Sequence, residues 1–185
     1  MSSKTNKYLG YGAVFFLIFT LFWSLCMMLP AISKFVKANG SKEMMDVSPK
    51  INSEEVYAYM NTTTPEGRIE LKTIYRFQDF VSPMAYGPFI LITLFFFHRR
   101  FLPGKKRFWA IILVPIVMVI CDYCENFSIL SVIESYPKKT PISDWIGIFT
   151  RLKWAMGICS ALMFITILWI GTLKKKLKKE NEQSN

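Results

Sequence analysis

Four long apolar segments alternate with polar, charged segments along the chain. They span about residues 8–29, 77–97, 108–133 and 145–173. A helix needs roughly 20 apolar residues to cross a bilayer, because each residue adds about 1.5 Å to its length. Such segments must be helical, because lipid offers no partner to backbone amides, and the alternation typical of membrane β-strands is missing. The pattern predicts an all-α fold, an integral membrane four-helix bundle.

The long polar segment between the first two spans carries helical signals of its own. Ser53 precedes two glutamates, as an N-cap followed by acids in the first turn would. Thr64 and Pro65 form a second start, because proline suits the first helical position. An amphipathic outer-loop helix is therefore expected at about residues 53–76. It is expected to continue into the second span, where two internal prolines should bend it.

The remaining organisation is simple. Residues 1–179 are expected to form one transmembrane domain, and residues 180–185 a disordered polar tail. Two lysines before the first span allow that span to be a cleaved signal peptide. Its long apolar run and the lack of a small-residue cleavage site favour an uncleaved anchor.

Charge decides the expected orientation. The chain has 23 Lys and Arg against 13 Asp and Glu, a net charge of +10. The basic residues cluster before the first span, at residues 98–107 and at residues 174–179. All three clusters fall on one side, which the positive-inside rule makes cytoplasmic, so both termini are predicted to be cytoplasmic. The expected partners of this face are anionic lipid head groups, with no need for nucleic acid.

Cysteine and histidine usage narrows the chemistry. All 4 cysteines lie within predicted spans, which does not resemble the disulfide framework of a secreted protein. Cys121 and Cys124 form a C-x-x-C pair, but a membrane thiol oxidoreductase needs a second pair in a loop, and the sequence has none. These cysteines are therefore interpreted as packing residues. With His98 as the single histidine, a histidine-based metal site is excluded, and no metal or cofactor is expected.

Ionisable residues inside the spans are the main functional signal. Asp122, Glu125 and Asn126 share one face of the third span, since they are spaced i, i+3 and i+4. Arg151 and Lys153 lie about 9 to 12 Å into the fourth span from its outer end. A charge at the bilayer centre costs at least ~2.5–3.5 kcal/mol, so these groups should face inward and pair.

Arg151 is the expected partner of the acids, because a guanidinium bridges two carboxylates. Lys153 lies about 200° around the helix from Arg151 and is expected to reach toward the head groups instead.

Further polar and aromatic residues are predicted at the same depth. The sequence therefore predicts a polar pocket in the outer half of the bundle, open toward the outer side. Its candidate catalytic residues are Asp122, Glu125, Asn126 and Arg151, and its candidate ligand-binding residues are Asp79, Tyr86, Trp23, Tyr123 and Trp154. The acids outnumber the bases, which favours proton chemistry. The plainer alternative is that the ion pairs only fix the register of the helices.

Three stretches carry a resemblance: "SEEVYAYMNTTTPEGR", "DFVSPMAYG" and "DYCEN". In this order the chain resembles a group of small four-helix bacterial membrane proteins with no established activity. Its architecture is also similar to that of the EXPERA group, which includes sterol isomerases and the sigma-2 receptor. That similarity implies acids that stabilise a carbocation-like sterol intermediate, although the first span lacks the acidic or histidine positions of that group.

These observations lead to three hypotheses. The first is a site for a membrane lipid, a sterol-like molecule or another hydrophobic small molecule, with acid–base catalysis of the isomerase type as its stronger form. The second is a non-enzymatic membrane scaffold or an accessory subunit of a larger complex. The third is a small proton-coupled exporter that acts as a homo-oligomer.

Overall fold

The computed structural model describes residues 3–40, 44–45, 52–102 and 108–183, and their regular structure is helical, as predicted. The helices are α1 Ser3–Trp23, α2 Leu29–Ala38, α3 Ser53–Thr62, α4 Pro65–Thr73, α5 Asp79–Phe101, α6 Phe108–Ser135 and α7 Ser143–Gln183. Two π-helical turns, Ser24–Met28 and Ile74–Gln78, join α1 to α2 and α4 to α5 without interrupting the helical path.

Four continuous helical stretches are long and apolar enough to cross a membrane: Thr5–Ala38, Pro65–Phe101, Ile111–Ser135 and Ser143–Gln183. They are compatible with a multi-pass membrane protein. The second stretch confirms that the outer-loop helix continues into the second span. The last one corrects the expected disordered tail, because α7 remains helical up to Gln183. The final two residues of that tail lie outside the described residues.

Helices α5, α6 and α7 pack against one another, and α1 packs on α5. The packing of α5 on α6 is close at Gly87, where a Cβ atom would lie 2.6 Å from Val119. In the most apolar part of the stretch Thr5–Ala38, 0% of the residues are buried. The predicted four-helix bundle is therefore a core of three mutually packed helices with α1 at its periphery.

The two ends of this bundle differ. One end contains the start of α1, the end of α5 and the last part of α7. There, Lys174 of α7 donates to the Phe101 carbonyl at 3.1 Å. We call this the terminal end. The opposite end is the cap end.

Helices α2, α3 and α4 form a folded layer at the cap end, which we call the cap. Its hydrophobic core continues into the bundle through side chains from the end of α6 and the start of α7. The fully buried members include Phe35, Val56, Met60, Leu71, Ile129, Val132 and Ile146. The cap is thus a packed structure rather than one amphipathic helix on a surface.

The part of the cap expected as one helix at about residues 53–76 contains two short helices, α3 and α4, which begin at the two start signals of the sequence. Asn52 caps α3, with Glu55 N–H donating to Asn52 Oδ1 at 2.9 Å, so the helix is capped one residue earlier than expected. Thr64 caps α4 as expected, accepting from Gly67 N–H at 2.9 Å. Arg68 donates to the Thr63 carbonyl at 2.6 Å, which closes the corner between the two helices.

Candidate functional site

An ion network joins α6 to α7 in the interior of the bundle. Lys153 Nζ lies 3.2 Å from Asp122 Oδ1 and also forms an ion pair with Glu125 Oε2. Asp122 is 4% exposed and Glu125 is 0% exposed, so both carboxylates are removed from solvent. The i, i+3 spacing places both acids on the face of α6 that meets Lys153.

Two hydroxyl groups complete this network. The Tyr86 hydroxyl of α5 donates to Asp122 Oδ2, and the Thr150 hydroxyl of α7 donates to Glu125 Oε1. Each carboxylate therefore has the same lysine and one hydroxyl as partners, as buried charges require. We call Tyr86, Asp122, Glu125, Thr150 and Lys153 the carboxylate network.

The charges within the carboxylate network do not cancel. Two carboxylates face one ammonium group, which leaves one negative charge when all three groups are ionised. A third buried carboxylate, Asp79, lies at the start of the neighbouring helix α5. A single bound proton or one cationic ligand would make the network neutral, and a low-dielectric interior favours neutrality.

Asn126 extends the site toward α5. It is 5% exposed, and its Nδ2 donates to the backbone carbonyl of Asp79 at 3.3 Å. Its Oδ1 has no hydrogen-bond partner among the described residues. A buried amide oxygen without a donor is costly, so this atom is a candidate acceptor for a ligand hydroxyl or a water.

The predicted pairing of the acids with Arg151 is wrong, and so is the expectation that Lys153 reaches away from them. Lys153 takes the bridging position, and the Arg151 side chain is exposed on the outer surface of α7. The reason is rotational, because the two residues lie about 200° apart on a helix and only one can face α6. The buried face of α7 passes through Ile146, Thr150 and Ser160, and Lys153 lies on it.

The predicted opening toward the outer side is not found at the cap end among the described residues. Ile129, Val132 and Ile146 are each 0% exposed and lie between the carboxylate network and the cap end. They belong to the hydrophobic core that the cap completes. Among the described residues, packed hydrocarbon therefore separates the network from the cap end.

A groove is instead found on the side of the bundle, between α6 and the path from α4 to α5. Its volume is about 580 Å³. Its lining is aromatic and apolar apart from Arg76 and Asn126, and it consists of Tyr75, Arg76, Phe80, Tyr123, Asn126, Phe127 and Leu130. We call this the lateral groove. Asn126 is shared between the groove and the polar interior, whereas neither carboxylate of the network lines it.

The structure brings together only part of the predicted ligand-binding set. Tyr123 lines the lateral groove and donates to the Phe80 carbonyl at 3.1 Å. Tyr86 and Asp79 lie in the interior behind it. Trp23 donates instead to the Gln78 carbonyl at 2.9 Å, which attaches the first stretch to the π-helical turn. Trp154 is 50% exposed on the outside of α7, away from the groove.

Two residues of the network were not assigned to it from the sequence, Thr150 and Lys153. A signal for both was present in the small residues of α7. Gly157, Ser160 and Gly171 continue the same face at helical spacing, and small residues mark the side of a membrane helix that contacts its neighbours. Extending that face toward the cap end reaches Lys153 and Thr150 but not Arg151.

The other candidate chemistries gain no support. The four cysteines are free thiols, with Cys121 buried in α6. Among the described residues, no group of three or more His, Cys, Asp and Glu side chains is arranged to hold a metal ion.

Comparison with known proteins finds no match: no family model, no curated protein and no solved structure is similar to this chain. The resemblances proposed from the sequence therefore stay predictions.

Proposed function

We propose that this chain is a multi-pass membrane protein that binds a lipid- or sterol-like molecule in the lateral groove. The groove opens on the side of the bundle, where a hydrophobic molecule arrives from the bilayer without crossing water. Phe80, Tyr123 and Phe127 offer flat apolar surface for the body of such a ligand. Arg76, which is exposed, offers a positive charge at the rim for a polar group.

The observation that carries this proposal is the Oδ1 of Asn126, which has no hydrogen-bond partner among the described residues. It is a buried acceptor on a residue that also lines the groove. A ligand hydroxyl that donates to it would remove the cost of leaving it unsatisfied. The ligand class that fits best is therefore an amphiphile with a rigid or chain-like apolar body and a hydroxyl group.

Acid–base catalysis is the stronger form of the proposal. In this form the carboxylate network holds a proton that Asp122 or Glu125 exchanges with the ligand, and Asn126 orients the ligand. The support is the excess of one negative charge over the single ammonium group. Because neither carboxylate lines the groove, the reaction would require the ligand or a water to pass Asn126 and reach Asp122.

The scaffold hypothesis is supported by a different observation. Each carboxylate is paired with Lys153 and with a hydroxyl group, and the network is closed toward the cap. A polar network that only fixes the register of three helices would have these features. The exporter hypothesis has the weakest support. It needs carboxylates that are accessible from both sides of the membrane, whereas Asp122 and Glu125 are buried.

The test is the identity of any hydrophobic molecule retained after gentle purification. We expect mass spectrometry of the extracted lipids to find one enriched species with the unmodified protein. Leu130→Trp fills the groove and should reduce the retained species at least tenfold. Leu162→Trp is the matched control, because Leu162 is 58% exposed on α7 and far from the groove. Equal retention in Leu130→Trp, or no enriched species at all, would favour the scaffold hypothesis.

A second pair of substitutions separates binding from catalysis. Asp122→Asn combined with Glu125→Gln keeps the size and shape of both side chains but removes both charges. Because the change leaves Lys153 without a carboxylate, only variant protein that purifies in the folded state is compared. If the network catalyses, the double variant should retain an unconverted isomer that the unmodified protein does not. Identical extracted species in both proteins would reject the catalytic form and leave the binding proposal intact.

A further inference from the structure

A second groove lies at the terminal end, between α1 and the last turns of α5. Its volume is about 700 Å³, and it is lined mainly by the first turns of α1 together with aromatic residues of α5. Gly10 leaves it room, because a Cβ atom there would already lie 3.7 Å from Phe96. We call it the basic groove, after the two cations at its rim, Lys7 and Arg100.

The charge of this groove has one sign. Lys7 and Arg100 are both exposed, and neither forms an ion pair with a described residue. Among the described residues, no aspartate or glutamate lines the groove. Lys174 and Lys175 lie nearby on α7, where they contact the carbonyl and the ring of Phe101. The rim therefore attracts anions and offers nothing to a positively charged head group.

Polarity also changes with depth in the basic groove. The lining on α1 runs from Asn6 and Lys7 at the terminal end to Val14, about two turns or ~10 Å deeper. Arg100 and Phe96 follow the same order on α5, because the two helices run in opposite directions. Cations at the mouth and hydrocarbon further in match the order of a phosphate and its acyl chains.

We propose that the basic groove binds an anionic glycerophospholipid, with the phosphate between Lys7 and Arg100 and the first acyl carbons against Val14 and Phe96. Two cations exceed the single charge of a phosphodiester, so a lipid with a net negative head group is preferred over a zwitterionic one. This site lies at the opposite end of the bundle from the lateral groove, and its occupancy does not depend on the ligand proposed there.

Native mass spectrometry of the full-length protein tests this proposal, with phosphatidylglycerol and phosphatidylethanolamine of the same acyl chains as probes. We expect phosphatidylglycerol to bind at least tenfold more tightly, and the preference to weaken as salt is added. Lys7→Gln combined with Arg100→Gln should reduce its affinity about 25-fold, since each basic residue near an anionic head group contributes about fivefold.

Three further variants show whether the binding is specific to the basic groove. Lys37→Gln combined with Arg151→Gln removes the same charge from exposed positions elsewhere and should leave phosphatidylglycerol binding within twofold. Gly10→Leu fills the groove without changing the charge and should weaken binding of both lipids. The proposal fails if the unmodified protein binds the two lipids equally, or if the two charge-removing variants lose affinity to the same extent. Leu130→Trp should leave this binding unchanged, which separates it from the lateral-groove proposal.

Discussion

Lys153 offsets one of the two negative charges that the carboxylate network holds in the interior of this protein. It is the one cation that the described structure places between two carboxylates from which water is excluded. Removing one partner of a buried ion pair is far more costly than removing both, because it leaves an uncompensated charge. The stability of the bundle should therefore depend on the balance of charges in the network.

Lys153→Met should lower the free energy of unfolding by about 3–5 kcal/mol, because it leaves two adjacent carboxylates without a cation. The measurement is thermal or denaturant unfolding of the purified protein in detergent. Arg151→Met is the matched control at an exposed position and should change stability by less than about 0.5 kcal/mol.

The complementary test replaces the two carboxylates by neutral amides in the Lys153→Met protein. Adding Asp122→Asn and Glu125→Gln to this variant should restore a large part of the lost stability, because no buried charge remains. If Arg151→Met is the more destabilising substitution, the assignment of Lys153 as the bridging residue is wrong.

At the scale of helices, the face of α6 that carries the acids was predictable, but its partner was not. The i, i+3 and i+4 spacing of Asp122, Glu125 and Asn126 settles that they share a face. The choice between Arg151 and Lys153 depends on the rotation of α7, which is set by contacts of residues as distant as Gly171 with Phe101. Such contacts join positions far apart in the sequence, so local spacing does not reveal them.

The closure of the site was missed for a related reason. The helical start signals at residues 52–53 and 64–65 were recognisable, because capping depends on nearby residues. The cap covers the bundle because Phe35 and Val56 pack in one core with Ile129 and Ile146. A sequence pattern identifies these residues as apolar but not as neighbours.

The contact between α5 and α6 should be sensitive to added volume. Gly87→Ala would place a Cβ atom 2.6 Å from the Val119 side chain, so the helices must separate. We expect a loss of about 1–3 kcal/mol in unfolding experiments. Gly10→Ala should be neutral or stabilising by up to about 1 kcal/mol, since its Cβ atom would have ordinary contacts and alanine favours a helix.

A double-mutant cycle makes this prediction specific to one contact. Val119→Ala removes the obstructing methyl groups, so the Gly87→Ala/Val119→Ala protein should be more stable than the sum of the two single effects predicts. Additive losses would show that Gly87 has a role other than close packing.

On the scale of the whole molecule, the two ends of the bundle are chemically distinct. The cap end is a folded layer with ion pairs such as Lys34–Glu70 at 2.7 Å, and the terminal end carries the lysine-rich part of α7. The four long apolar stretches bring the start of α1 and the end of α7 to the same end. The distribution of Lys and Arg predicts that this end faces the cytoplasm.

Cysteine labelling in sealed cells tests that orientation. In a protein whose four native cysteines are replaced by alanine, Thr62→Cys lies in the cap and Leu177→Cys at the terminal end, both at exposed positions. A membrane-impermeant maleimide should label Thr62→Cys on intact cells and Leu177→Cys only after permeabilisation. The reverse pattern would place the basic residues outside and contradict the prediction.

One helical path, Pro65–Phe101, begins in the cap and ends at the opposite side of the bundle. At about 1.5 Å per residue it is a rod of roughly 55 Å, and it carries both Arg68 at the corner of the cap and Tyr86 on Asp122. A tilt of the cap must therefore shift the tyrosine unless the π-helical turn Ile74–Gln78 bends to absorb it. That turn is the joint at which a movement of the cap is either passed to the buried charges or absorbed.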